Sequence, residues 1–385
     1  MHISSKVKSV PASGIRKFFD IVSQMDDVIS LGVGEPDFVT PWRIREAGIY
    51  SIEKGYTTYT SNYGLMELRK LISCHIEKQF GVQYNPENQL LVTVGVSEAI
   101  DLALRAMLEP GDEVIVPEPC FVAYKPCVIF AGGVPVAVST DASSRFAPTA
   151  DQIEKAITPR TRAIMISFPN NPTGATMSRD TLQQIMDVAC RHDLYVITDE
   201  IYDKLIYGED HVCVAALDGA YDRTVYLNGF SKAYAMTGWR IGYAAANPDM
   251  IEAMMKIHQY IMMCAPITAQ MAAIEALANA EKDTKQMLIQ YTRRHRLIVD
   301  SLNEMGLDCF EPKGAFYAFP SVRCTGMLSE EYAERLLIEE KVAVVPGNAF
   351  GDCGEGHIRC CYATSFENIQ EAMRRMAAFT ERNTP

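Results

Sequence analysis

Seven short apolar runs recur through the middle of this chain, and they constrain its fold more than any other feature. They are Leu90 to Val94, Glu113 to Val116, Val134 to Ser139, Ala163 to Phe168, Leu194 to Thr198, Thr224 to Leu227 and Arg240 to Ala246. Each is too short for a helix and nearly continuous rather than alternating, which is the pattern of a strand covered on both faces. Helical patterns fall between them. One runs from Ser97 to Leu108, one follows Ser178 to about His192, and one opens at Asn247-Pro248 and reaches about Met263. Strands alternating with helices predict an α/β fold, with a mostly parallel seven-stranded sheet covered by helices on both faces.

The texture changes after Glu281. A charged helix from Asp283 to Met305 leads into a strand at Ala315 to Phe319 and a helix at Ser329 to Glu340. Strands at Val342 to Val345 and His357 to Tyr362 follow, and then a final helix. This reads as a smaller α+β unit. The first ~45 residues lack the sheet rhythm and are assigned to the same unit on grounds of compactness. The expected division is a large domain at 46–282 and a small domain made of 1–45 and 283–385.

The net charge of -12 argues against nucleic acid, whose phosphates want a basic face. It does not argue against a small anion, because one pocket can be basic in an acidic protein. Eleven cysteines without a C-x-x-C pair read as reduced thiols of a cytoplasmic protein, not a disulfide scaffold. No metal-ligand spacing stands out. The polar start, Met1 to Gly14, does not read as a signal peptide, and the apolar stretch at Ile261 to Ala265 is too short for a membrane helix.

In a parallel α/β sheet, ligands bind beyond the carboxyl ends of the strands. Four such ends carry chemistry. Gly95-Val96-Ser97 follows the first strand, where a tight turn and the free N–H groups of a helix start can hold a phosphate; alternatively, Ser97 merely caps that helix. Asn170 to Gly174 is a turn by composition, from which Asn171 could donate into a pocket. Asp199 ends a strongly apolar strand, as either a helix-cap carboxylate or the counter-charge of a buried cation, with Tyr202 nearby. Ser231-Lys232 follows the sixth run. A lysine is ordinarily a surface residue, but one held behind a buried strand can lose its proton and attack a carbonyl to form a Schiff base. Arg240 offers a planar fork for a phosphate, or else an ordinary ion pair.

Taken together, Ser13-Gly14-Ile15-Arg16, Leu31 to Phe38, Asn171-Pro172-Thr173-Gly174, Asp199-Glu200-Ile201-Tyr202, Ser231 to Arg240 and Ile358-Arg359 resemble the class I aminotransferases of the fold-type I pyridoxal-phosphate enzymes. The resemblance covers almost the whole chain. It implies transamination between an L-amino acid and a 2-oxo acid by a ping-pong route, with pyridoxal 5'-phosphate as cofactor. It assigns Lys232 to the Schiff base and the proton transfer, and Asp199 to the pyridine nitrogen. Tyr202 and Asn171 go to the ring's phenolic oxygen, and Phe121 to the ring face. Gly95, Val96, Ser97, Ser231 and Arg240 go to the phosphate. Arg359, with Gly34 and Asn171, is assigned to the substrate carboxylate. Tyr59 is expected to reach a neighbouring subunit's phosphate, which implies a homodimer.

Other reactions of the same cofactor, such as β-elimination, racemisation or decarboxylation, would use the same residues. A serine hydrolase reading rests on Gly95 to Ala99 as a nucleophile elbow with Asp352 and His357, but the elbow's final glycine is missing. A nicotinamide reading rests on Gly32-Val33-Gly34 and lacks the third glycine. Some aspartate-preferring relatives carry a lysine where this chain has Ser97, so neutral or aromatic substrates are favoured, unless a basic residue such as Arg16 substitutes.

Overall fold

The computed structural model describes residues 3–11 and 25–384. Seven strands form the central sheet: β2 (Leu90–Thr93), β3 (Glu113–Glu118), β4 (Val134–Ser139), β5 (Thr161–Ile166), β6 (Tyr195–Asp199), β7 (Thr224–Gly229) and β8 (Gly242–Ala245). Their order is β2-β8-β7-β6-β5-β3-β4. Every neighbouring pair is parallel except those made by β8, which runs antiparallel to both β2 and β7. All seven expected strands are present within a few residues of their predicted ends. β2, β3, β7 and β8 are buried along their whole length, and β5 and β6 along nearly all of it, as continuous apolar runs require. β4 is an edge strand and is largely uncovered.

Helices pack on both faces. The helix Gly95–Met107 lies against β7 and β8, while Trp42–Glu53 and Met66–Phe80 pack on Ile267–Asn279. These last three helices were not expected from sequence. The helix after Ser178 spans Arg179–Arg191, with the Ser178 hydroxyl accepting from the Thr181 N–H; the one after Asn247 spans Pro248–Ile261, with Asn247 accepting from the Met250 N–H.

The later part of the chain contains the helices Glu281–Glu304, Ser329–Glu340 and Phe366–Asn383. β1 (Ile29–Ser30) pairs in parallel with β10 (Val342–Ala343), and β9 (Tyr317–Ala318), β11 (Val345–Pro346) and β12 (Ile358–Cys361) form a three-stranded sheet in the order β11-β12-β9. The predicted strand at Val342 to Val345 is thus two short strands that join two different sheets. The β1–β10 pairing ties the residues just before Gly34 to the far end of the chain. None of the eleven cysteines is in a disulfide. Among the described residues, no helix is long and apolar enough to cross a membrane.

Candidate active site

The carboxyl ends of β2, β3, β5, β6 and β7 open onto one cavity of about 480 Å³. Lys232 lies there, just past the buried end of β7, and its Nζ donates to the Gly34 carbonyl at 2.7 Å. No carboxylate is bonded to it. Burial therefore dominates and pulls its ammonium down to about 8, so a neutral, nucleophilic amine is accessible near neutral pH.

Asp199 and Glu200 are adjacent and both buried, but only one is available to a ligand. Glu200 accepts from the Thr198 hydroxyl, the Val214 N–H and His211 Nε2, so the protein itself satisfies it. Asp199 faces the cavity. One of its oxygens accepts from the Tyr124 hydroxyl at 2.8 Å and the other from the Ile201 N–H at 3.2 Å. Burial pushes its carboxyl up to about 6, a cost that a cation placed beside it would relieve. Asp199 is not a helix cap.

The turn after β5 divides its two asparagines. Asn170 holds the turn by accepting from the Thr173 N–H and hydroxyl, which leaves Asn171 to line the cavity. Arg359, on β12 and 3% exposed, donates to Asn171 Oδ1 at 2.9 Å and to the Gly32 carbonyl at 2.6 Å. A guanidinium only donates, so it fixes the Asn171 amide with its NH₂ turned elsewhere. Arg359 Nε is buried without a hydrogen-bond partner.

One end of the cavity is built from a helix start and Arg240, an arrangement suited to an anion. The helix after β2 begins at Gly95, not at Ser97, and no side chain caps it from the preceding residue. The alternative reading of Ser97 as the helix cap does not hold: Glu98 reaches back to the Val94 N–H at 2.5 Å, and Ser97 faces the cavity together with Val96. Gly95 has φ +76°, and a Cβ there would come 2.7 Å from Arg240 Nη2. Glycine is required both for the conformation and for the arginine to lie over the helix start. Arg240 is itself in the left-handed region, at φ 53°, and its Nη1 donates to the Thr237 carbonyl at 3.0 Å. Ser231 lines the same end.

Phe121 and Gly34 line the cavity. Tyr202 does so too, but its hydroxyl is bonded to that of Tyr317 at 2.8 Å. Tyr59 is 76% exposed and outside its own chain's cavity lining. Sequence reasoning missed Tyr124 and Tyr317. Tyr124 lies three residues beyond Phe121, at the start of the helix Tyr124–Ala131, and its ring meets Phe121 edge-on at 5.5 Å. Tyr317 sits in an apolar run and reads as core. Glu35 was also missed; it lines the mouth and accepts from the Thr237 hydroxyl at 2.9 Å. The hydrolase constellation is not assembled: His357 stacks on Phe319 at 5.2 Å and does not line the cavity that Ser97 faces. Nor does a helix follow Gly32-Val33-Gly34 closely enough for a dinucleotide fold; the next one starts at Trp42. Arg16 lies outside the described residues.

A mostly parallel α/β sheet that presents a deprotonatable lysine, a buried carboxylate and two arginines on one cavity defines an enzyme of amine and carbonyl chemistry. Residues 26–376 match the family model described as aminotransferase class I and II. The chain is 55% identical over 383 residues to YugH of Bacillus subtilis, whose name places it among aminotransferases, covering 100% of this chain and 99% of that one. It is 45% identical to an aspartate aminotransferase of Pyrococcus abyssi, covering 98% and 97% of the two chains. Among solved structures, an aspartate aminotransferase of Thermus thermophilus with maleate superposes with a TM-score of 0.93 at 37% identity, covering 98% of this chain and 99% of that one. This chain belongs to the class I aminotransferases of the fold-type I pyridoxal-phosphate enzymes.

Proposed function

We propose that this enzyme transfers an amino group between an L-amino acid and a 2-oxo acid in two half-reactions, with Lys232 as its central residue. The observation that carries the proposal is the convergence of Lys232, Asp199 and Arg359 on one cavity. The residues fit pyridoxal phosphate. Asp199 is a buried carboxylate without a cation bonded to it, and a protonated pyridine nitrogen would supply one. Gly95 leaves room for Arg240 over a helix start suited to a phosphate, and Arg359 has an unmet buried N–H for a carboxylate.

Lys232 would hold the cofactor's aldehyde carbon. Asp199, positioned by Tyr124, would hold the pyridine nitrogen. Asn171 and Tyr202 would hold the phenolic oxygen, with Phe121 on the ring face. Val96, Ser97, Ser231 and Arg240, with Gly95 making room, would hold the phosphate. When bound, pyridoxal phosphate supplies an electron sink for the bonds at the substrate's Cα. Arg359 binds the substrate carboxylate and, with Asn171 and Gly34, orients Cα. Once the incoming substrate amine has displaced it from the aldehyde carbon, Lys232 Nζ would be free to take the Cα proton and deliver it across the cavity, a role its lowered basicity suits. Asp199 stays ionised at neutral pH beside a cation and keeps the pyridine proton in place. The second half-reaction reverses these roles with a different 2-oxo acid, which gives ping-pong kinetics.

The same reading places the protein in the cytoplasm as a homodimer, each Tyr59 reaching the other subunit's phosphate. It divides the chain into a large cofactor-binding domain at 46–282 and a small one at 1–45 with 283–385. The exposed Trp42, Tyr50, Ile52 and Tyr59 support a covered surface there. The test is a panel of aspartate, aromatic and neutral amino donors with 2-oxoglutarate and pyruvate as acceptors, with both products identified. Stoichiometric keto acid and new amino acid support the proposal. Ammonia release without a new amino acid would replace it with an elimination on the same cofactor.

A further inference from the structure

We infer that Tyr317, a residue to which the family resemblance gave no role, is the positioning residue that joins the cofactor end of the cavity to its substrate-carboxylate end. Tyr317 is 1% exposed and touches both ends. Its hydroxyl bonds that of Tyr202 at 2.8 Å. Its ring lies under the Arg359 guanidinium, 4.6 Å from centroid to Cζ, so the ring's negative face steadies the cation. Its hydroxyl also fills the space beside Gly34: a Cβ on Gly34 would lie 2.5 Å from the Tyr317 oxygen. Gly34 does not need a left-handed backbone, so this contact is the reason for glycine. The Gly34 carbonyl in turn holds Lys232 Nζ.

The proton count gives the hydroxyl pair a direction. Each phenol carries one proton, and burial pushes both well above the ordinary phenol range, so both stay neutral. If Tyr202 donates its proton to an acceptor on the cofactor, it cannot also donate to Tyr317. Tyr317 must then donate to Tyr202, and its proton polarises and aims the Tyr202 hydroxyl. The charged or titratable groups around the pair are Arg359, Asp199, Glu35, Cys361 and Lys232.

This inference rests on the pyridoxal-phosphate reading for its chemistry, but one part of its test does not. Tyr317→Phe removes the hydroxyl and keeps the ring; Tyr317→Leu removes both. In the cofactor-loaded protein, Tyr317→Phe should move the pH midpoint of the visible band upward by roughly half a unit to one unit, because Tyr202 becomes a weaker donor. It should lower kcat more than it raises KM. Tyr317→Leu should in addition raise the KM for the amino donor by roughly three- to tenfold, through a loosened Arg359. In the cofactor-free chain, Gly34→Ala should lower the Tm. Adding Tyr317→Phe should recover part of that loss, because the nearest ring atom would then stand 3.4 Å from the new Cβ. An unmoved midpoint in Tyr317→Phe, equal KM values in the Phe and Leu variants, or purely additive Tm losses would overturn the inference. Failure of the wild-type protein to take up pyridoxal phosphate would defeat the proposed function, and the stability cycle would still judge the Gly34–Tyr317 contact.

Discussion

Lys232 and Asp199 are held in protonation states that favour chemistry over stability. The folded-state basicity of Lys232 is depressed to about 8, so whatever stability it contributes is present above the unfolded value near 10.5 and is lost as pH falls through about 8. Lys232→Met should therefore stabilise the cofactor-free chain at pH 7 by on the order of 2 kcal/mol, as read by thermal unfolding, and the gain should vanish by about pH 10.5. The same variant should lose turnover by roughly 10³-fold or more. Asp199 is shifted the other way, to about 6, so its contribution is present below about pH 4 and is lost as pH rises through about 6. Asp199→Asn should stabilise the cofactor-free chain above pH 6 by on the order of 2 kcal/mol and leave it nearly unchanged at pH 4, as read by thermal unfolding. A fall in stability of either variant at pH 7 would contradict the account. These two residues were legible in the sequence because each is an ionisable group at the end of an apolar run. Tyr124 and Tyr317 were not, because a tyrosine in an apolar or helical stretch gives no sign of where its hydroxyl will point.

The helix Gly95–Met107 shows how the sheet shapes the end of the cavity proposed to hold the phosphate. Gly229 and Gly242 lie opposite each other in the β7–β8 register, and a Cβ on Gly242 would come 2.8 Å from the Val96 nitrogen and 2.9 Å from the Gly95 carbonyl carbon. Two facing glycines thus let the helix start sit directly on the sheet, with its free N–H groups toward the cavity. Gly242→Ala should push that start outward and weaken pyridoxal-phosphate affinity roughly tenfold, measured by titration of cofactor-free protein, with little change in the KM for the amino donor. Equal effects on both would contradict it. The strands were readable because burial on both faces leaves continuous apolar runs. The helices Trp42–Glu53, Met66–Phe80 and Ile267–Asn279 were not read. The first mixes exposed apolar side chains such as Trp42 and Ile52 with polar ones, which blurs its periodicity, and the third is alanine-rich with little contrast between faces.

Across the whole molecule, the exposed position of Tyr59 yields a test of assembly. If each Tyr59 serves the other subunit's cavity, neither Tyr59→Ala nor Lys232→Ala homodimers should be fully active. Mixed dimers should regain one intact site, with Lys232 from one chain and Tyr59 from its partner. Recovery on mixing supports the shared site, and no recovery in verified mixed dimers would place Tyr59 elsewhere. The central claim, however, is the bond-forming amine. Purified protein loaded with pyridoxal phosphate should be reduced with borohydride, digested and mapped by mass spectrometry. The account predicts one pyridoxyl group per chain, on Lys232. A pyridoxyl group on a different lysine, or none after confirmed loading, would contradict it.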